Sequence, residues 1–319
     1  MKITKTLSLA FAAILAAASL SACSSSNTSS TASSDSTADS SANSAENSAA
    51  ESTAENSDSS SDAEETPAYS PENPVTVKIG LTGNIYEDIW NPIAERLADE
   101  GIILEYEQFT NFSIPNNALN SGEIDMNAFQ HHAYFENDTK TNGYDLTAIG
   151  DTYIVAMNIY SHKVDSIEDA LSSSEKIKVA VPNDATNEGR ALKLLEQAGF
   201  FTIDPNAGAS PEISDITEYK TDIEFVEVDA NLVYSVLDDV TIAVINGNYA
   251  LDSGLTADDA IFKESKYDDN SYYCLIAVRS EDADNEVYKR IVEEYQTQDT
   301  IDVFNTTFAG FFVPAWTLE

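Results

Sequence analysis

Residues 176–190 read KIKVAVPNDATNEGR, which is a strand-like run, a turn and the beginning of a helix. Lysine and apolar residues alternate until Pro182 ends the run, as in a half-buried strand. Asn183–Asn187 is a cluster of turn-forming residues, and 188–198 carries apolar residues at helical spacing. A strand that leads directly into a helix is the repeating unit of an open α/β sheet.

The same alternation continues on both sides of this segment. Strands are predicted at 75–81, 102–106, 124–129, 176–181, 223–228, 241–245 and 272–278, and helices at 88–100, 116–121, 188–198 and 284–298. Two such groups, with the last strands returning to the first group, predict a two-lobed α/β protein. We expect lobe 1 to comprise 75–157 plus 261–319 and lobe 2 to comprise 158–260, with the ligand in the cleft between them.

Residues 1–22 have the features of a secretion leader. Lys2 and Lys5 precede an apolar run that is shorter than the about 20 residues needed to span a bilayer. The run ends in LSAC, which resembles the lipobox of bacterial lipoproteins. By that resemblance we expect cleavage before Cys23 and attachment of diacylglycerol and palmitate to it. The chain would then be held on the extracytoplasmic face of the cell membrane.

Residues 23–74 differ in composition from the rest of the chain, since they are rich in Ser, Ala, Thr and acidic residues and contain no Lys or Arg. Such a segment buries too little apolar surface to offset its chain entropy, so it is predicted to be a disordered tether. About 50 flexible residues extend roughly 40 Å on average. A spacer of that length suits a thick cell wall and favours a Gram-positive host.

The charge and the motif content exclude several classes of function. The formal net charge is -39, whereas nucleic-acid binding needs clustered Lys and Arg. No phosphate-binding loop, nucleophile elbow or dinucleotide glycine pattern is present, so no catalytic residue and no cofactor are predicted. The histidines are His131, His132 and His162, and neighbours on an extended chain point to opposite faces, so no metal site is predicted.

Four segments lie where the strand ends would line the cleft. They read FTNFSIPN at 109–116, IDMNAFQH at 124–131, VPNDATNEGR at 181–190 and AVINGNYA at 243–250. In this order and spacing they resemble the methionine-binding lipoproteins of ABC importers, the NlpA/MetQ family, from about residue 76 to Trp316. The resemblance implies a type II periplasmic-binding-protein-like fold. It also implies a monomer that passes methionine to a membrane permease driven by an ATPase.

Three polar residues in these segments suit the charged groups of a free amino acid. Arg190 is expected in the first turn of a helix, where its guanidinium offers two donors to a carboxylate, as the family's matching arginine does. Asn246 ends a strand and can accept from an ammonium group, although Asn-Gly is also a common turn. Asn187 is expected to cap the helix of Arg190 and to contact the ligand as well.

An aromatic group is expected to hold the apolar side chain of the ligand, because a thioether packs well against ring edges. Its predicted members are Phe109, Phe112, Phe129, His131 and Tyr134. Ordinary core packing is the alternative for each of them. The chain departs from the family at Tyr86, where relatives often carry His, and at Asn231–Ser235. Cys274 is expected to be a small buried residue in a strand.

Capture of methionine, in the L form and as an alternative in the D form, is therefore the expected function. Other ligands remain open from the residues alone, namely a methionine-containing dipeptide or another apolar amino acid. A metal-capturing lipoprotein, a surface adhesin and an enzyme are weaker alternatives.

Overall fold

The structure, a computed structural model, describes residues 69–267, 269–308 and 311–318. The expected leader, the lipid-bearing Cys23 and most of the tether lie outside the described residues.

The elements alternate as the sequence predicts. The strands are β1 (Val75–Leu81), β2 (Ile102–Gln108), β3 (Met126–Asn127), β4 (Leu146–Asp151), β5 (Tyr153–Val155), β6 (Asn158–Tyr160), β7 (Ile177–Pro182), β8 (Phe201–Ile203), β9 (Ile216–Tyr219), β10 (Ile223–Val228), β11 (Ile242–Ile245), β12 (Phe262–Lys263), β13 (Leu275–Arg279) and β14 (Phe312–Pro314). The helices are α1 (Glu87–Glu100), α2 (Pro115–Ser121), α3 (His132–Asn142), α4 (Ile167–Leu171), α5 (Ala185–Gln197), α6 (Gly247–Asp252), α7 (Glu286–Tyr295) and α8 (Gln298–Thr307).

The first sheet has five strands in the order β2-β1-β3-β13-β4. Strand β1 runs parallel to β2 and β3, whereas β13 runs antiparallel to β3 and β4. Strand β13 returns from late in the chain to lie between β3 and β4, as the predicted topology requires. Because β1 and β3 are parallel, the segments that follow them, including Phe129–His131, emerge at the same edge.

The second sheet also has five strands, in the order β10-β7-β11-β6-β12. Strand β7 is parallel to β10 and β11, and β6 is antiparallel to β11 and β12. This sheet runs from Asn158 to Lys263, three residues past the expected lobe boundary at 260. The segments after β7 and β11, which begin at Asn183 and Asn246, emerge at one edge.

Two segments connect the sheets. The first crossover, residues 152–157, contains β5, which pairs with β14. The second crossover, residues 264–274, leads from β12 to β13. The described part of the second crossover contributes buried side chains, including those of Glu264 and Cys274. Residues of both crossovers therefore reach the space between the sheets.

Helix α5 is held by an apolar face against the second sheet. Leu192, Leu194 and Leu195 are buried together with Val179 and Val181 of β7. Complete burial of a leucine contributes about 1.5–3 kcal/mol. The packing fixes the rotation of α5 about its axis, and so the direction in which Arg190 points.

Several predicted elements differ in their bounds from the structure. The strand expected over 124–129 is only β3, because Ala128 leaves the ladder after its amide donates to Gly80 O at 3.1 Å. The strand expected over 272–278 begins at Leu275, and Cys274 is buried in an isolated bridge to His131. The helix expected over 284–298 is two helices, since α7 ends at Tyr295 and Thr297 leads into α8.

Within the described ranges, none of the helices combines the length and the apolar character needed to cross a bilayer.

Candidate ligand-binding site

A pocket lies where the carboxyl-terminal edges of both sheets meet the two crossovers. Its walls come from segments after β1, β2, β3, β7 and β11 and from the crossovers. The lining residues are Tyr86, Phe112, Phe129, Gln130, His131, Tyr134, Val155, Asn187, Arg190, Asn246, Asn248 and Cys274. Ligands of open α/β sheets bind at such carboxyl-terminal strand edges.

Seven of the eight residues predicted to bind a ligand line this pocket. They are Phe112, Phe129, His131, Tyr134, Asn187, Arg190 and Asn246. Phe109 does not. It packs against a separate apolar cluster that includes Ile124 and lines a neighbouring cavity with Gln108 and Asp252. Phe109 and Phe112 both follow β2, but only the ring of Phe112 is turned into the pocket.

Arg190 is buried, with 3% of its surface exposed, and it is paired with Glu264. Its Nε donates to Glu264 Oε1 at 2.8 Å and its Nη2 donates to Glu264 Oε2 at 2.5 Å. The same Nη2 donates to Val155 O at 2.9 Å. These bonds use Nε and Nη2, so among the described residues Nη1 has no hydrogen-bond partner. The expected two-donor face of the arginine is thus occupied by an internal carboxylate.

The environment keeps Arg190 charged. Burial alone would lower the pKa of its guanidinium, but the charge and the hydrogen bonds of Glu264 outweigh burial and raise the pKa. The ring of Tyr272 also lies under the guanidinium carbon, 4.5 Å from it to the ring centroid. The arginine is therefore a fixed donor held from three sides.

The position of Arg190 in its helix corrects the sequence prediction. Helix α5 begins at Ala185, so Arg190 lies in the second turn and not in the first. The capping residue is Asp184, whose Oδ1 accepts from the amide of Asn187 at 3.0 Å. Asn187 is therefore not the cap. An aspartate is a strong cap because its carboxylate satisfies the free amides of the first turn.

Asn187 instead connects the two sides of the pocket. Its Nδ2 donates to both oxygens of Asp184 at 3.0 Å. Its Oδ1 accepts from Asn246 Nδ2 at 2.8 Å and lies 3.3 Å from His131 Nε2. Because Asp184 fixes its amide, the oxygen of Asn187 can only face the pocket as an acceptor. That oxygen is already filled by two donors.

Asn246 has an acceptor without a partner. Its side chain is buried, with 6% exposed, and its Oδ1 has no hydrogen bond. Gly247 allows this position, since a Cβ there would lie 2.5 Å from Ala156 O of the first crossover. A buried polar atom without a partner costs about 1–3 kcal/mol, so a ligand N–H that reaches Oδ1 gains that much.

His131 is neutral and acts as a positioning group. Its Nδ1 accepts from the amide of Tyr134 at 3.1 Å, which places the ring proton on Nε2, facing Asn187. Burial, together with the charge of Arg190, lowers the pKa of His131 to about 3. The imidazole therefore adds no charge to the pocket near neutral pH.

Aromatic rings form the remaining wall. The ring of Phe112 lies 5.8 Å from that of Phe129, 6.0 Å from that of Tyr134 and 4.9 Å from that of Tyr249, measured between centroids. The hydroxyl of Tyr134 donates to Phe112 O at 3.0 Å, which fixes the loop that carries Phe112. Phe112, Phe129 and Tyr134 thus give the pocket an aromatic surface, which suits an apolar or thioether side chain.

Some lining residues carry no expectation from the sequence. Gln130 and Asn248 lie inside the quoted motifs and could have been found there. Val155 and Cys274 come from the crossovers, where no local pattern marks them. Burial raises the pKa of the Cys274 thiol to about 12, so it is an unreactive wall group. Tyr86, noted as a departure from the family, lines the pocket and stacks on Tyr153 at 5.6 Å.

Taken together, the described lining residues include a donor nitrogen, Arg190 Nη1, an unpaired acceptor oxygen, Asn246 Oδ1, and an apolar wall. A small molecule with a carboxylate, an N–H group and an apolar side chain matches all three. Within the described part of the chain, no group of three or more His, Cys, Asp or Glu residues could hold a metal ion.

Comparisons with known proteins agree with this chemistry. A sequence model of the family described as NlpA lipoprotein matches residues 77–316. The D-methionine-binding lipoprotein MetQ of Escherichia coli K12 is 35% identical over 250 residues, which cover 77% of this chain and 90% of that protein.

Solved structures give the same result. A nutrient-binding protein from Burkholderia cenocepacia bound to methionine has a TM-score of 0.70 and 35% identity, over 75% of this chain and 99% of that one. A periplasmic substrate-binding protein of an ABC transporter from Coxiella burnetii has a TM-score of 0.68 and 30% identity, over 75% and 99%. These likenesses confirm the predicted two-lobed α/β fold.

Proposed function

The chain belongs to the NlpA lipoprotein family, and from this premise we propose that it captures methionine and delivers it to the permease of an ABC importer. Relatives that are named for D-methionine, and a similar structure that is bound to methionine, support the ligand. Both enantiomers of methionine are within the proposal.

One observation carries the proposal, namely that the unpaired Asn246 Oδ1 lies in the same pocket as Arg190, whose bonds to Glu264 and Val155 use only Nε and Nη2. A free amino acid offers an ammonium donor and a carboxylate acceptor on one carbon. We expect the ammonium to donate to Asn246 and the carboxylate to accept from Arg190. The thioether then lies against Phe112, Phe129 and Tyr134, where a contact with a ring contributes about 0.3–1.5 kcal/mol.

The partners follow from this role. A binding protein alone moves no solute, so the permease and its cytoplasmic ATPase are the proposed partners. Lipid on Cys23 would hold the protein at the extracytoplasmic face of the membrane, and a monomer suffices for capture. The relatives from Escherichia, Burkholderia and Coxiella give the expected Gram-positive host no support. We propose binding without catalysis, as in the substrate-binding relatives.

The anchor has its own test. Cells that express the wild-type chain are grown with labelled palmitate, and the labelled protein should be found in the membrane fraction. Two acyl chains on one protein anchor it stably in a bilayer. Cys23→Ala should remove both the label and the membrane association. A labelled C23A protein would place the lipid elsewhere.

The ligand is tested by a thermal-shift screen of the purified protein. The panel holds the twenty amino acids, D-methionine, methionine-containing dipeptides, zinc and manganese. A ligand that binds only the folded state stabilises it by about 2.7 kcal/mol at a hundred times its Kd. We expect methionine to raise the Tm most. A larger shift with a dipeptide, another amino acid or a metal ion would replace methionine as the ligand.

A further inference from the structure

The two-donor face of Arg190 is not available to a ligand, because Glu264 occupies it. Nε and Nη2 of the guanidinium both donate to that carboxylate, and both side chains are at least 90% buried. This bidentate arrangement is the one that an arginine usually offers to a bound carboxylate. Here a side chain of the second crossover takes the place that a ligand would take.

Glu264 is itself fixed by the first crossover. Its Oε2 accepts from the amide of Met157 at 2.9 Å, and its own amide donates to Asn158 Oδ1 at 3.1 Å. The carboxylate thus has three donors around it, from two parts of the chain. A rearrangement that released Arg190 from Glu264 would also leave the Met157 amide without its acceptor, so the pair is expected to stay formed when a ligand enters.

The pair changes the charge that a ligand meets. A lone buried guanidinium would attract a carboxylate strongly. The pair of Arg190 and Glu264 has no net charge, so it attracts a ligand carboxylate less. Another acidic neighbour, Asp184, is held by the helix amide and side-chain amide of Asn187, and by the hydroxyl of Thr186 at 3.0 Å. His131 is neutral. Recognition of a carboxylate therefore rests on the single nitrogen Nη1.

We propose that Glu264 is a specificity-determining counter-ion of the pocket, which leaves Arg190 one nitrogen for the ligand and weakens its preference for a carboxylate over a carboxamide. The proposal rests on the proposed function, since it assumes that the ligand is an amino acid bound at Arg190. A negative charge held a few ångströms from the ligand carboxylate repels it in a medium of low dielectric. Removal of that charge should favour carboxylate ligands over their neutral amides.

The test compares methionine with methioninamide by calorimetry on purified full-length protein. For Glu264→Gln, which keeps the shape and removes the charge, the ratio of the Kd for methioninamide to the Kd for methionine should rise at least fivefold. Glu264→Asp keeps the charge, and its ratio should stay within twofold of the wild-type ratio. The control is Glu224→Gln, a half-exposed glutamate on β10 near Lys178, which should leave the ratio unchanged.

Two results would overturn the proposal. If Glu264 only positions Arg190, its loss misplaces the guanidinium, and the ratio for E264Q stays constant or falls. If E264D raises the ratio as E264Q does, side-chain geometry and not charge sets the preference. Failure of the wild-type protein to bind methionine would instead contradict the proposed function and is read separately.

A measurement on the wild-type protein covers the case in which E264Q does not fold. The NMR signal of the Arg190 Nε–H group, assigned with Arg190→Lys, should be protected from solvent exchange without ligand and remain so when methionine is bound. Rapid exchange in the methionine complex would show that Glu264 has released the arginine, which contradicts a resident counter-ion.

Discussion

Two clusters of buried polar side chains adjoin at the peptide bond between Gln130 and His131, and they differ in whether every polar atom has a hydrogen-bond partner. The closed cluster consists of Asn116, Asn127 and Gln130, and every side-chain oxygen and nitrogen in it has a partner. The open cluster consists of His131, Asn187 and Asn246, and it ends in the unpaired Asn246 Oδ1. The closed cluster has the bonding of a structural core, whereas the open one has a place for a further donor.

Both clusters are buried, so the completeness of their hydrogen bonding, and not their burial, separates the structural cluster from the one proposed to bind a ligand. Asn116 donates to Gln130 and to Asp138, both at 2.8 Å, and holds the chain segment that carries Phe129. Such satisfied networks stabilise one arrangement of a core. In the open cluster the buried Asn246 Oδ1 has no hydrogen-bond partner, which lowers stability and is rare in native cores. The reason we propose is the ligand.

The largest expected effect comes from Arg190→Ala, which opens the site completely. It leaves the Glu264 carboxylate buried without its counter-ion, a change that typically costs about 3–5 kcal/mol. We expect a loss of that size in the free energy of unfolding, measured with urea, and methionine binding weakened more than tenfold. The paired variant R190M/E264M removes both charges and should recover most of the stability but not the binding. Normal methionine affinity in R190A would contradict the site.

Asn116→Ala should break the closed cluster and leave the open one in place. The loss of its amide removes partners from the buried Asn127 and Gln130 and from the part-buried Asp138, for about 3 kcal/mol of unfolding free energy. Methionine affinity, measured where the variant is folded, should change less than threefold. A binding defect larger than the stability defect would mean that the closed cluster contacts the ligand.

Asn246→Ala should do the reverse. Methionine affinity should fall at least tenfold, or about 1.4 kcal/mol, because the ammonium loses its acceptor. The free energy of unfolding should change by less than about 1 kcal/mol, since the lost bond to Asn187 is offset by removal of an unpaired acceptor. The exposed Asn206→Ala is the matched control for both measurements. Unchanged affinity in N246A would show that Oδ1 is not a ligand acceptor.

The smallest effect concerns the pH dependence of stability at His131. Its pKa is about 3 in the folded protein and about 6.5 when unfolded, so only the unfolded state takes up its proton between those values. The contribution is complete above pH 6.5 and is lost as the pH falls toward 3. Between pH 6 and 5 the wild-type protein should lose about 1 kcal/mol more than His131→Gln. Equal slopes for both proteins would show that the imidazole titrates normally.

The sequence predicted the residues of the open cluster and the neighbouring Arg190. It did not predict the carboxylate of Glu264 that neutralises this arginine. His131, Asn187, Arg190 and Asn246 all follow predicted strands, so strand order alone places each of them at the carboxyl-terminal edge of its own sheet. Glu264 stands in the charged run KESK, without periodicity, and its partner is 74 residues away in the chain. A lone glutamate in such a run is usually a surface residue.

Local geometry accounts for the smaller differences. Asn183, Asp184 and Asn187 are all candidate caps by residue type, and only the backbone path selects Asp184. Phe109 and Phe112 are three residues apart, yet the loop after β2 turns one ring into the pocket and the other onto Ile124. Neither choice is encoded in residue type or in spacing.

The most direct test of the account is a crystal structure of the full-length protein with methionine. We predict the ligand carboxylate within hydrogen-bond distance of Arg190 Nη1, its ammonium on Asn246 Oδ1, and Glu264 still bonded to Nε and Nη2. Methionine bound away from both free atoms, or an Asn246 oxygen that still lacks a donor in the complex, would contradict it.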